Sequence, residues 1–233
     1  EISEVDEYGC DKGELYRENT NYIYKDWDLS GKYLMKSSKL NYVYGLNSQG
    51  VIEKSFKEAI LETYKYRLID SAQISKTEMK YIGTMNADLE TLYASAEDFS
   101  AEIEQDLTLL SKVVNTSLEI NVQRQVTSNE VEKWIYLDGK EYHEGTRTET
   151  EYEYGSVKKV INAQYEVINN VKIYRKASLT ESSDFCSNMR DSKTSREVDY
   201  IVNPGNPGTE VISENGRIDM TQFTWYAERE IKR

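Results

Sequence analysis

Residues 84–114 read TMNADLETLYASAEDFSAEIEQDLTLLSKVV and carry the strongest periodicity in the chain. Leu89, Leu92, Ala96, Phe99, Ile103, Leu107, Leu110 and Val114 recur at spacings of three and four, the repeat of one apolar helix face. No Gly or Pro interrupts the stretch, so the spacing predicts a helix of about 30 residues, roughly 45 Å long. The opposite face is acidic: Asp88, Glu90, Glu97, Asp98, Glu102, Glu104 and Asp106 stand against a single base, Lys112. Such a charge run reads first as a solvated face, and second as a docking surface for a basic partner.

Upstream, Ile52, Phe56, Ala59, Ile60 and Tyr64 share the same spacing and predict a first helix from about Val51 to Leu68 or Ile69. Ser75 and Glu78 have capping-box spacing, which suggests a short helical piece ending at Gly83. Together these predict a helical hairpin over about 50–115.

Both flanks read as strands. In residues 1–47, Asn21-Tyr22-Ile23-Tyr24 and Asn41-Tyr42-Val43-Tyr44 bracket a turn near Ser30-Gly31. From Ser117 onward the pattern alternates. Leu118, Ile120 and Val122 skip every other position, and Trp134 and Tyr136 lie in a strand that ends at Asp138-Gly139, a hairpin turn pair. Thr146, Thr148, Thr150, Tyr152 and Tyr154 alternate with Arg147, Glu149, Glu151 and Glu153. Further strands follow at Ile161–Val167, Val171–Tyr174 and Val198–Val202, and a last one from Ile218 to about Ile231. Residues 178–195 read as a loop, and both prolines fall in Asn203-Pro204-Gly205-Asn206-Pro207-Gly208. The fold class expected is therefore α+β. The helical hairpin packs on a C-terminal antiparallel β meander or partial barrel (116–233), with short N-terminal strands, in one domain spanning 1–233.

Composition narrows the function. The chain has 233 residues, 41 Asp+Glu against 29 Lys+Arg and a net charge of −12, a balance that phosphate backbones repel, so nucleic acid is not an expected partner. Nineteen tyrosines outnumber Phe and Trp together and supply the apolar bulk of a 38% hydrophobic chain. No run approaches the ~20 apolar residues of a membrane-spanning helix. The first residue, Glu1, fits a mature product after leader removal and a trimmed chain equally well.

Two cysteines, Cys10 and Cys186, sit in polar surroundings that suit a loop-stapling disulfide. In the chain-entropy picture a loop of that length makes such a bridge worth about 4–5 kcal/mol. Two free thiols in a cytoplasmic protein are the alternative. With His143 the only imidazole, the cysteines are too few for a zinc site.

His143 lies beside a hairpin turn without a nucleophile motif and reads as a surface histidine. Asp26-Trp27-Asp28-Leu29-Ser30-Gly31 resembles the opening of a calcium loop, but the twelfth position is Ser37 where a bidentate Glu belongs, so it reads as a turn. Asn115-Thr116-Ser117 is a glycosylation triplet. Glu149, Glu151 and Glu153 form an acidic ladder expected to face solvent or a basic neighbour such as Lys158, Lys172 or Lys176.

No catalytic, metal or cofactor set emerges. The expectation is a non-catalytic, secreted or surface-exposed interaction protein, able to serve as a subunit of an extracellular assembly, with a protein partner or a second copy. The alternative is a carbohydrate- or lipid-binding protein, with a small ligand in the curved sheet, or a carboxylate-dependent hydrolase. A β-hairpin pore-former is a third reading, since lumen faces of membrane barrels are polar.

Overall fold

A computed structural model describes residues 2–5, 11–26, 32–46, 48–67, 72–84, 99–183 and 194–232. Its strands are β1 (Ile2–Val5), β2 (Asp11–Asp26), β3 (Lys32–Leu46), β4 (Ile52–Tyr66), β5 (Gln73–Ile82), β6 (Thr108–Ile120), β7 (Val126–Leu137), β8 (Lys140–Glu153), β9 (Ser156–Ile168), β10 (Val171–Ser183), β11 (Thr194–Val202) and β12 (Phe223–Lys232). One helix, α1 (Ser100–Asp106), and a 3-10 turn at Met220–Gln222 complete the regular elements among the described residues. The strands are hydrogen-bonded in chain order from β1 to β12. The molecule is thus almost entirely antiparallel β, and the α+β class with a helical hairpin is overturned.

The expected first helix is β4, and a β-bulge explains the misleading spacing. Phe56 pairs with Tyr42 and Glu58 with Asn41, which leaves Lys57 as the extra residue. A bulge advances the side-chain phase by one, so Phe56 and Ala59 lie three apart yet share a face. Beyond it the ordinary two-residue step resumes, with Ala59 opposite Leu40 and Leu61 opposite Ser38. The expected short helix ending at Gly83 is β5. Among the described residues of the expected long helix, Ser100–Asp106 is helical. Leu107 is already extended, and Leu110, Lys112 and Val114 belong to β6. Residues 85–98 lie outside the described residues. The acidic row therefore does not continue to Lys112 on one helix face. The expected loop over 178–195 is likewise shortened, because β10 runs to Ser183 and β11 begins at Thr194.

Contacts group the chain into two compact units, one drawn from 1–66, 76–113 and 135–140, the other from 67–75, 114–134 and 141–233. In the first, α1 and its flanks cover one face of the sheet. Phe99, Ile103 and Leu107 join Leu40, Tyr42, Ala59, Leu61 and Tyr81 in one buried cluster. Tyr42 meets Phe56 edge-on at 5.9 Å, and the Lys54 ammonium sits 4.0 Å above the Tyr42 ring. On the other face, Glu62 accepts hydrogen bonds from Ser37 and Tyr64 (both 2.9 Å) and pairs with Lys76 at 2.6 Å. Those partners hold the Glu62 carboxyl below its usual range against the opposing effect of burial.

In the second unit, the connection from β11 to β12 does the covering. This strap, residues 203–222, carries Val211 and Ile218 onto a face formed by Ile161, Ala163, Tyr165, Tyr174, Ala177, Leu179 and Val198. A sheet needs its apolar face buried, and the strap supplies the second layer. No helix among the described residues is long and apolar enough to cross a membrane.

Candidate functional site

On β7 a two-residue step puts Glu130, Glu132 and Trp134 on one face, and β8 and β10 bring His143 and Lys172 to them. His143 stacks on Trp134 with ring centroids 4.2 Å apart, and its Nε2 lies 3.4 Å from Glu132 Oε1. Lys172 Nζ lies 2.8 Å from Glu130 and 3.2 Å from Glu132, and 4.9 Å above the Tyr165 ring. The Tyr165 hydroxyl donates to Glu132 Oε1 at 3.3 Å, and the Tyr165 and Tyr174 rings pack at 5.1 Å. Burial, then the Glu130 carboxylate, pushes the Tyr174 hydroxyl up to about 12 and the Tyr165 hydroxyl higher still. Both hydroxyls are therefore neutral at physiological pH. Chemically, the two acids of β7 converge on one lysine ammonium from β10 and a tyrosine hydroxyl from β9, a polar cluster that ties the strands together.

Gly145 makes the cluster possible. It is the cross-strand partner of Tyr165, and a Cβ there would lie 2.3 Å from the ring. The tyrosine lies over the bare glycine backbone, an arrangement that restores packing where a strand glycine has no side chain.

The strap is fastened by two side chains of β8. Glu149 Oε1 accepts from the Ile218 amide at 2.6 Å, and Arg147 donates to the Gly216 carbonyl. Of the acidic ladder, Glu151 pairs with Lys159 at 3.5 Å and Glu153 with Lys158 at 2.9 Å. Glu149 instead is buried, because the strap lies over it. A third fastening is backbone to backbone: the Tyr174 amide donates to the Gly208 carbonyl at 2.8 Å.

A row of charges crosses five strands on that face. Cross-strand register places Glu151 opposite Lys159, Lys159 opposite Glu181, Glu181 opposite Arg196 and Arg196 opposite Glu230. Arg196 bonds Glu181 at 3.1 Å and Glu228 at 2.6 Å, and its guanidinium holds the Glu228 carboxyl below its usual range. One position over, Arg229 pairs with Glu197 at 2.6 Å and Asp199 at 3.3 Å. β12 is the last strand of the sheet order, so the row stops at Glu230. At the start of the same strand, Tyr226 is the extra residue of a bulge, and Trp225 and Tyr226 are 63% and 56% exposed.

Cys10 and Cys186 lie outside the described residues, as do Trp27 to Gly31 of the calcium-like turn. Ser37, its twelfth position, is buried in β3 with its hydroxyl given to Glu62. Asn115 is exposed within β6. His143, read as a surface residue, is half-buried against Trp134. Sequence reasoning passed over Glu130, Glu132, Arg196 and Glu230, and it offered Lys172 to the acidic ladder, whereas Lys172 pairs with Glu130 and Glu132. The two-residue spacing of Glu130 and Glu132 was a visible signal, but their partners come from strands far along the chain.

The fold and these surfaces define a class: an antiparallel β-meander with a strap over one face and a charged, aromatic edge strand. Compared with protein-family models, curated proteins and solved structures, the chain has no significant match.

Proposed function

We propose that this protein is a non-catalytic, secreted or surface-exposed interaction protein that engages a partner protein through its C-terminal edge. The observation that carries the reading is the exposure of Trp225 and Tyr226 side by side on the terminal strand. Large aromatics contribute contact area at low entropy cost and are enriched at interface centres. The polar cluster supports the same reading, since its imidazole and carboxylates are engaged with Trp134, Lys172 and Tyr165.

The test is selection of a random peptide library against the immobilised protein, with the W225A/Y226A double variant as counter-target. Both side chains are exposed, so the variant is expected to fold. Enriched sequences are expected to lose at least about tenfold in affinity for the variant, the equivalent of about 1.4 kcal/mol. Enrichment that ignores both substitutions, or no enrichment at all, overturns the reading.

The secreted limb of the proposal has its own measurement. Under denaturing, non-reducing conditions, a Cys10–Cys186 bridge leaves no thiol to titrate, and that is the expected count. Two reactive thiols per chain would remove the case for an oxidising compartment.

A further inference from the structure

We infer that the outer edge of β12, over Ala227–Glu230, takes an extended basic peptide segment as an added strand, with a lysine or arginine opposite Glu230. This rests on the interaction reading above and names its partner class. An edge strand presents unpaired N–H and C=O groups that template another strand, and side chains set which strand is accepted. The side chains here form a series. From β8 to β12 the directly opposed residues are Glu151, Lys159, Glu181, Arg196 and Glu230, so the sign alternates at every step. Opposite charges placed across strands stabilise pairing and like charges oppose it, so the next strand in the series carries a cation.

The neighbouring charges leave that position open. Arg196 is held by Glu181 and Glu228, and Arg229 by Glu197 and Asp199, whereas Glu230 has no cation within ion-pair distance among the described residues. A second copy is the poorer occupant. Each chain brings a charge of −12, so two copies repel, whereas a basic segment is attracted. The bulge at Tyr226 interrupts the register between Trp225 and Ala227, so the uninterrupted stretch of the edge that carries Glu230 starts at Ala227.

The probe is an acetylated, amidated heptapeptide of alternating threonine and lysine, titrated into the full chain and followed by amide chemical shifts and hydrogen exchange. Its counterpart replaces lysine with glutamate. The lysine peptide is expected to perturb and protect the amides of Ala227–Glu230, and the glutamate peptide to bind more weakly. Glu230→Lys is expected to shift the preference between the two by about three- to tenfold toward the acidic peptide, the range of an exposed ion pair made and another lost. Glu230 is exposed and unpaired, so this variant is expected to keep the fold. Equal binding of both peptides, perturbation elsewhere, or no binding by either overturns the inference, the last meaning that charge and bulge close the edge. A library selection that yields non-basic binders dependent on Trp225 would sustain the interaction reading while this inference fails.

Discussion

Gly208→Ala is expected to unseat the strap and to lower unfolding stability by about 2–4 kcal/mol. Two effects combine at this position. Gly208 has φ +82°, a conformation that costs a residue with a Cβ about 1–2 kcal/mol. A Cβ would also lie 2.3 Å from the Tyr174 carbonyl oxygen, and backbone cannot swing aside as a long side chain does. Relief requires the strap to lift, which breaks the Tyr174–Gly208 hydrogen bond and uncovers the apolar face beneath Val211 and Ile218. Gly205→Ala is the matched control. Its φ is +87° but no atom lies within 4 Å of the added Cβ, so it is expected to show only the conformational cost. Urea denaturation gives the stability difference, and hydrogen exchange at the Tyr174 and Ile218 amides locates it. Equal effects of the two substitutions would mean that the strap is not seated through Gly208.

Gly145→Ala is expected to cost about 2–4 kcal/mol through a different contact. The added Cβ meets the far end of the Tyr165 ring at 2.3–2.7 Å. That ring is only 2% exposed, packed on Tyr174, with its hydroxyl bonded to Glu132, so moving it gives up those contacts. Its displacement breaks the link to Glu132 and uncovers part of the C-terminal core. Adding Tyr165→Leu to Gly145→Ala removes the colliding atoms, and the pair is expected to lose less than the two single changes summed. Additive losses in a double-mutant cycle would show that the glycine acts independently of the ring.

How much of this was legible varies along the chain for physical reasons. Where β8 and β9 alternate without a bulge, over Thr146–Glu151 and Ile161–Val167, the strands follow from two-residue periodicity, and the structure has those elements there. Where bulges intervene, the same periodicity imitates a helix, as Phe56 and Ala59 show. Residues 108–114 were misread for another reason. In β6 most side chains on both faces are half-buried, so apolar residues fall on both parities and no two-residue alternation survives. The candidate site was less legible than the fold. Lys172 meets Glu130 across the two strands that separate β10 from β7, and Arg196 meets Glu228 because β11 pairs with β12 beyond the strap. No local spacing records such a pair.

The amino-acid sequence alone determined that this is an acidic, tyrosine-rich chain with alternating C-terminal strands and a proline-glycine loop between the last two. These are local properties, set by composition, side-chain parity and backbone preference. Only the tertiary structure decided that residues 52–66 and 108–120 are strands, that Glu149 is buried beneath a strap, and that a five-strand charge row ends at Glu230. Cross-strand register and bulge position make those decisions, because a one-residue shift in pairing sends every side chain to the opposite face.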